Sequence, residues 1–142
     1  MTAMIRGVLS IFALAAGAVA AQPVPETRGV TTAVRLEESG VGHLDELRGK
    51  IKVRAAELTI APGGYLGAHH HAGPGIRYIA AGELTFVQGG KTTVYRTGEF
   101  FYESGDIVHT AHNHGKAPVR VIMFEVLPAR WSGASAIVPK PH

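Results

Sequence analysis

The chain reads as an all-β protein, a sandwich or closed barrel of short antiparallel strands. Three observations carry that reading. Strand-like runs of four to eight residues recur throughout, rich in β-branched and aromatic side chains. Gly, Pro, Asn and Asp punctuate them at intervals of about eight to twelve residues. No stretch beyond the first twenty-one residues shows the apolar spacing of an amphipathic helix, and no solenoid period is visible.

In chain order, residues 1–21 stand apart. Arg6 is their only charge, residues 7–19 are apolar, and Val19-Ala20-Ala21 offers the small side chains at which a signal peptidase cuts. The run is short for a membrane span. We therefore expect a secretory signal peptide over 1–21, a single domain over 22–142, a periplasmic or secreted location, and no membrane attachment after cleavage. Without a cysteine there is no lipoprotein anchor, disulfide or thiolate metal site. Removing 21 of the 142 residues, with the one charge of Arg6, leaves 121 residues of net charge +2. That is enough chain for a core, and its charge is too small and scattered for a nucleic-acid partner.

Residues 22–29, with two prolines, are a lead-in, and 31–38 alternate as a first strand. Residues 41–49 read as a loop or one short turn. A strand over 50–60 is expected to end at Pro62-Gly63-Gly64. Residues 76–80 and 83–87 are strands divided by Gly82. Gln88-Gly89-Gly90-Lys91 reads as a hairpin, because two glycines accept the positive φ of a tight turn. Strands follow over 92–95, 99–102, 108–113 and 119–126, the last being the most apolar. The tail, 129–142, carries Trp131 and is expected to cross the outside or reach a partner. Tyr65, Tyr78, Phe86, Phe100, Phe101 and Tyr102 are expected mostly in the core.

The chemistry concentrates in histidine. On a strand, residues two apart share a face, so His69-x-His71 aims two imidazoles at one point while His70 faces away. Imidazole is the commonest neutral metal ligand. By the same parity His109 shares a face with Ala111 and Asn113, whereas Thr110, His112 and His114 lie on the other. His69, His71 and His109 are thus the candidate metal ligands, with His70, His112 and His114 at the surface and His43 in a loop. Asn113 is expected to fix a turn through its side chain.

These residues also carry a family resemblance. Gly63-x5-His69-x-His71-x10-Gly82 resembles the first motif of the cupin superfamily. Gly98-x5-Ser104-Gly105-Asp106-x2-His109-x3-Asn113 resembles the second. The likeness spans roughly residues 50–127 and implies a double-stranded β-helix, the jelly-roll barrel, with its site inside the mouth. Two positions depart from the pattern. Ser104-Gly105-Asp106 replaces a Pro-x-Gly turn, and Gly75 stands where many cupins place a glutamate ligand. The resemblance then implies three histidines without a carboxylate, a cationic centre that attracts an anionic or enolisable molecule. Continued alternation points Arg77 inward, where its planar guanidinium either holds the anionic end of a substrate or pairs with an internal acid such as Glu99, Glu103 or Glu125.

The implied function is an exported cupin holding a divalent iron, manganese, nickel or zinc ion. Its chemistry would be that of a metal-dependent oxidoreductase, dioxygenase-like ahead of isomerase or lyase, acting on a small organic molecule with Arg77 as a catalytic residue. The alternative is a cupin that binds a small ligand or metal without turnover. A homodimer is expected, since open β edges need covering, with the last apolar strand and Trp131 as candidate contacts.

Overall fold

A computed structural model describes residues 23–140, so the signal-peptide reading lies outside the described residues. Nine strands and one 3-10 turn follow one another. They are β1 (Thr27–Glu38), the turn Asp45–Leu47, β2 (Ile51–His71), β3 (Gly75–Ala81), β4 (Glu83–Gln88), β5 (Lys91–Arg96), β6 (Phe100–Glu103), β7 (His109–His112), β8 (Val119–Pro128) and β9 (Ala136–Ile137). They form one curled sheet in the order β5-β4-β7-β2-β8-β3-β6, with β1 and β9 also paired to β2. No helix among the described residues is long and apolar enough to cross a membrane.

Strand β2 makes the barrel. Its first half, Ile51 to Ile60, pairs antiparallel with β8, and its second half pairs with β7 from Tyr65 to His69. One strand therefore serves both layers, and Pro62-Gly63-Gly64, expected to end it, instead bends it from one layer to the other. Gly63 takes a positive φ of 68°, open to glycine at little cost. Gly64 is required by crowding: a Cβ there would stand 2.7 Å from the Arg28 carbonyl oxygen and 2.8 Å from that of Ala61. Asn113 clasps this corner. Its amide donates to the carbonyls of Ile60 (2.9 Å) and Ala117 (2.8 Å), and its Oδ1 accepts from the Gly115 N–H (2.9 Å). The turn-fixing role read from the sequence holds, and it extends to the bend in β2.

Alternation then sorts the side chains. Along β8, Val119, Val121, Met123, Glu125 and Leu127 are buried while the residues between them face out or are half-buried. On β2 the inward set is Lys52, Arg54, Ala56, Leu58 and Ile60. The apolar members join Ile79, Leu84, Phe86, Phe101, Leu66 and Ala111 in one core. Each such side chain removed from water contributes about 1.5–3 kcal/mol. Gly89 and Gly90 both have positive φ at the β4–β5 turn, as the hairpin reading requires.

Two expectations change. Phe100 and Tyr102 are 64% exposed, because β6 turns Phe101 and Glu103 inward instead. With Ile76 and Phe124, also exposed and in register with Tyr102 across β3 and β8, they make the outer face of that layer apolar. The tail does not lie on the outside. β9 pairs with His70 and His71, and residues 131–136 wall a cavity in the barrel.

Candidate metal centre

His69 and His71 lie at the end of β2, and His109 opens β7 directly opposite His69 in the antiparallel register. The parity argument holds: all three are buried, at 2%, 8% and 3% exposure. Their ring centroids are 5.0 Å apart for His69–His71, 4.3 Å for His69–His109 and 5.3 Å for His71–His109. One ring nitrogen from each lies within 4.8 Å of the others. Among the described residues the other histidines stay out of the cluster. His70 is half-buried with Nδ1 at 3.2 Å from the Gly105 carbonyl oxygen. His112 is half-buried between Tyr65 and the exposed His114.

Hydrogen bonding fixes which nitrogen faces the centre. A carbonyl oxygen only accepts, so Nδ1 carries the proton in His69, which reaches the Gly67 carbonyl at 2.7 Å. The same holds for His109, whose Nδ1 reaches that of Ile107 at 3.0 Å. For His71 the partner is Ser135 Oγ at 3.2 Å, and Ser135 donates its own proton to Glu125 at 2.5 Å. His71 Nδ1 therefore donates to Ser135. In all three rings Nδ1 is anchored and Nε2 is the nitrogen left to face the centre, as in metal-ligating histidines generally.

A carboxylate lies beside these rings. Glu103 Oε2 is 3.1 Å from His71 Nε2, and Glu103 Oε1 is 3.4 Å from His109 Nε2. The group placed to hold a metal is the three histidines, as read from the sequence, with this carboxylate next to two of them. The acid comes from β6, which pairs Glu103 with Gly75 on β3, the position where the sequence pattern lacked it. Gly75 has no room for a side chain, since a Cβ there would meet Arg77 Nη1 at 2.3 Å and the Phe124 carbonyl oxygen at 2.6 Å. Arg77 fills that space. It points inward at 2% exposure, and of its two open readings the geometry shows the pairing with internal acids. Nη2 lies 2.5 Å from Glu103 Oε2 and donates to Glu125 Oε1 at 3.3 Å. Glu99 is not a partner, being exposed.

The electrostatics call for a cation. Burial, and then the neighbouring His109, push His69 down to about 4, and burial likewise lowers His109. Burial alone would raise Glu103, but contact with His71 and the charge of Arg77 hold its carboxyl down to about 2. His69 and His109 thus offer neutral nitrogens beside an ionised carboxylate, an arrangement that suits a cation. Glu103 Oε2 meets Arg77 Nη2 and His71 Nε2 as ion-pair contacts without hydrogen-bond geometry, and Arg77 Nη1 donates no hydrogen bond. The three imidazoles fit a divalent first-row metal ion, with Glu103 next to them.

The cluster forms one wall of a cavity of about 540 Å³, within the range of small-molecule sites. Leu58, Leu66, Leu84, Phe86, Phe101 and Met123 make most of it apolar. The sequence reading named Glu103 and Glu125 as possible partners of Arg77 but did not place them beside the histidines, and it missed Ser135, Lys52 and Arg54. A signal for Lys52 and Arg54 was present, since each lies in phase with buried apolar neighbours on its strand; Ser135 had none.

A nearly closed β-barrel with a histidine cluster at the inner wall of its cavity is the architecture of the small jelly-roll proteins. The chain belongs to the cupin superfamily: the model of the Cupin domain matches residues 56–125. At the level of sequence no curated protein matches it. Among solved structures, a predicted oxalate decarboxylase from Thermotoga maritima is 22% identical, with a TM-score of 0.54 over 74% of this chain and 92% of that one. The polyketide cyclase RemF from Streptomyces resistomycificus is 17% identical, with a TM-score of 0.57 over 85% and 81%. A cupin-2 domain from Rhodospirillum rubrum is 16% identical, with a TM-score of 0.57 over 80% and 68%. At these identities the likeness is one of fold.

Proposed function

We propose that the protein is a divalent-metal enzyme of the dioxygenase-like kind, acting on a small anionic or enolisable organic molecule. The observation that supports it best is the convergence of three buried imidazoles, each with its Nδ1 anchored, beside one carboxylate. An iron, manganese, nickel or zinc ion there would supply Lewis-acid chemistry, and a redox-active ion would add chemistry with dioxygen. His69, His71 and His109 hold it, and Glu103 offsets half its charge. Arg77 acts through Glu103 and Glu125, holding both carboxylates in place. General acid–base catalysis is poorly served, because His69 and Glu103 titrate far below neutrality. That is the reason for ranking redox chemistry above isomerase or lyase chemistry. The apolar wall excludes water from the bound molecule.

A cupin that holds its ligand without turnover is the second reading. It is favoured by the tail, which crosses the cavity and is tied down at Lys52, Arg54 and Glu125. Metal analysis of the untagged chain after anaerobic reconstitution tests the centre, with about one equivalent expected. Less than about a tenth of an equivalent refutes it. Oxygen uptake with diketones, catechols, flavonols and thiols then separates enzyme from binder.

Two further readings belong to the proposal. The chain is exported, which N-terminal sequencing of the periplasmic fraction tests, cleavage after Ala20 or Ala21 being expected. It also forms a homodimer, for which the apolar outer face around Ile76, Phe100, Tyr102 and Phe124 is a better candidate than Trp131, since Trp131 folds toward the cavity. Light scattering tests the dimer, and Phe124→Lys should yield a monomer.

A further inference from the structure

The cavity has a second charged wall that the metal reading does not use. Lys52 and Arg54 project inward from β2 at 7% and 6% exposure, and both line the same cavity as the histidines. Burying a long cation is costly unless it is paired. Here two cations share one carboxylate: Lys52 Nζ lies 2.7 Å from Glu37 Oε1, and Arg54 Nε lies 2.8 Å from Glu37 Oε2. Among the described residues Glu37 is the only carboxylate in contact with either. Their other partners are the neutral tail carbonyls of Trp131 and Gly133. Arg54 pairs across β2–β8 with Glu125, but that carboxylate is turned to Arg77, Ser135 and His71.

Lys52, Arg54 and Glu37 sum to +1, and Arg54 stands next to Glu125 across β2–β8, so the two cations line the cavity beside the histidine cluster. We propose that Lys52 and Arg54 form an anion station for the carboxylate of a small, otherwise apolar organic acid that occupies the cavity next to the three histidines. What the rest of that molecule undergoes rests on the metal reading; the station does not. The guanidinium and ammonium donors suit a carboxylate by geometry as well as charge, and Leu58, Phe86, Phe101 and Met123 suit the body.

The test is calorimetric binding to the full chain, metal-loaded and chelator-treated. The probes are straight-chain and phenyl-terminated monocarboxylic acids, each against its neutral amide. Charge-assisted hydrogen bonds at a buried station should favour the acid by at least about tenfold, with the preference shrinking as salt rises. Discrimination in the chelator-treated chain supports the station whatever the metal analysis returns, so the two readings fail separately. Lys52→Met should abolish the preference. Because that change also frees the tail carbonyl of Trp131, Glu37→Gln is the second variant. It keeps both cations and their tail contacts while removing the one competing negative charge, and should tighten acid binding by about threefold or more. Equal binding of acid and amide, no binding of any acid, or unaltered or weaker binding to Glu37→Gln would overturn the proposal.

Discussion

Gly75→Ala adds one methyl group at the point where the carboxylate of the centre has been relocated. The φ of Gly75 is not positive, so the backbone already suits alanine and the cost is steric alone. The new Cβ would overlap Arg77 Nη1 at 2.3 Å and the Phe124 carbonyl oxygen at 2.6 Å, against ordinary contacts of 3.4–4 Å. The guanidinium can swing away but the β8 backbone cannot, since Gly75 and Phe124 lie on paired strands. Overpacking of this kind costs about 1–3 kcal/mol. Moving Arg77 off Glu103 and Glu125 adds part of the roughly 3–5 kcal/mol for stranding a buried charge. Together the loss should fall at about 2–4 kcal/mol, which for a domain of this size lowers Tm by roughly 10–15 °C. Urea unfolding of the chelator-treated protein measures it. In an Arg77→Met background the same substitution should cost at least about 1 kcal/mol less, because one of its two clashes is gone. A change under about 0.5 kcal/mol, or strict additivity in the double-mutant cycle, would refute the account of why glycine stands at 75.

Three more outcomes follow from the same geometry. His109→Ala should abolish metal retention, whereas His112→Ala, outside the cluster, should leave it unchanged; equal behaviour in metal analysis would show the ligands wrongly assigned. The metal-free protein should lose stability as pH falls from 6.5 toward 4. His69 in the fold titrates near 4, so the unfolded chain takes up the proton first, and the gap is worth at most about 3 kcal/mol, read by urea midpoints across that range. Asn113→Ala removes the amide that joins Ile60 to Ala117 at the bend of β2. It should destabilise by about 1–3 kcal/mol while His109, on the same inward face, still retains metal.

The fold was legible because its strands are short, alternate cleanly and are separated by glycines with positive φ. The three-histidine cluster was legible by the same parity, which needs only that His69, His71 and His109 lie on extended chain. What escaped is non-local. Glu103 reaches the histidines because β6 pairs with β3 and sets it against Gly75, a partnership no local pattern reveals. Lys52 and Arg54 alternate inward, but charged residues on a strand are ordinarily assigned to solvent. Phe100 and Tyr102 were misplaced for the mirror-image reason, hydrophobicity overriding phase. Pro62-Gly63-Gly64 reads equally as an end or a bend, and the choice is made by Asn113, fifty residues on. The tail gave no warning of its seat, since β9 is two residues long and is held by contacts to side chains and to β2.

The seat of the tail couples two events that most binding proteins keep apart. Ser135 bonds both His71 and Glu125, and its carbonyl accepts the N–H of Ala72, so peeling this segment back to admit a molecule also releases the ring that presents one of the three nitrogens. Entry from that side would thus loosen the hold of His71 on an ion bound at the cluster, and re-closure would restore it. A guest large enough to hold the flap open would meet a weakened centre, which makes admission itself a filter on size.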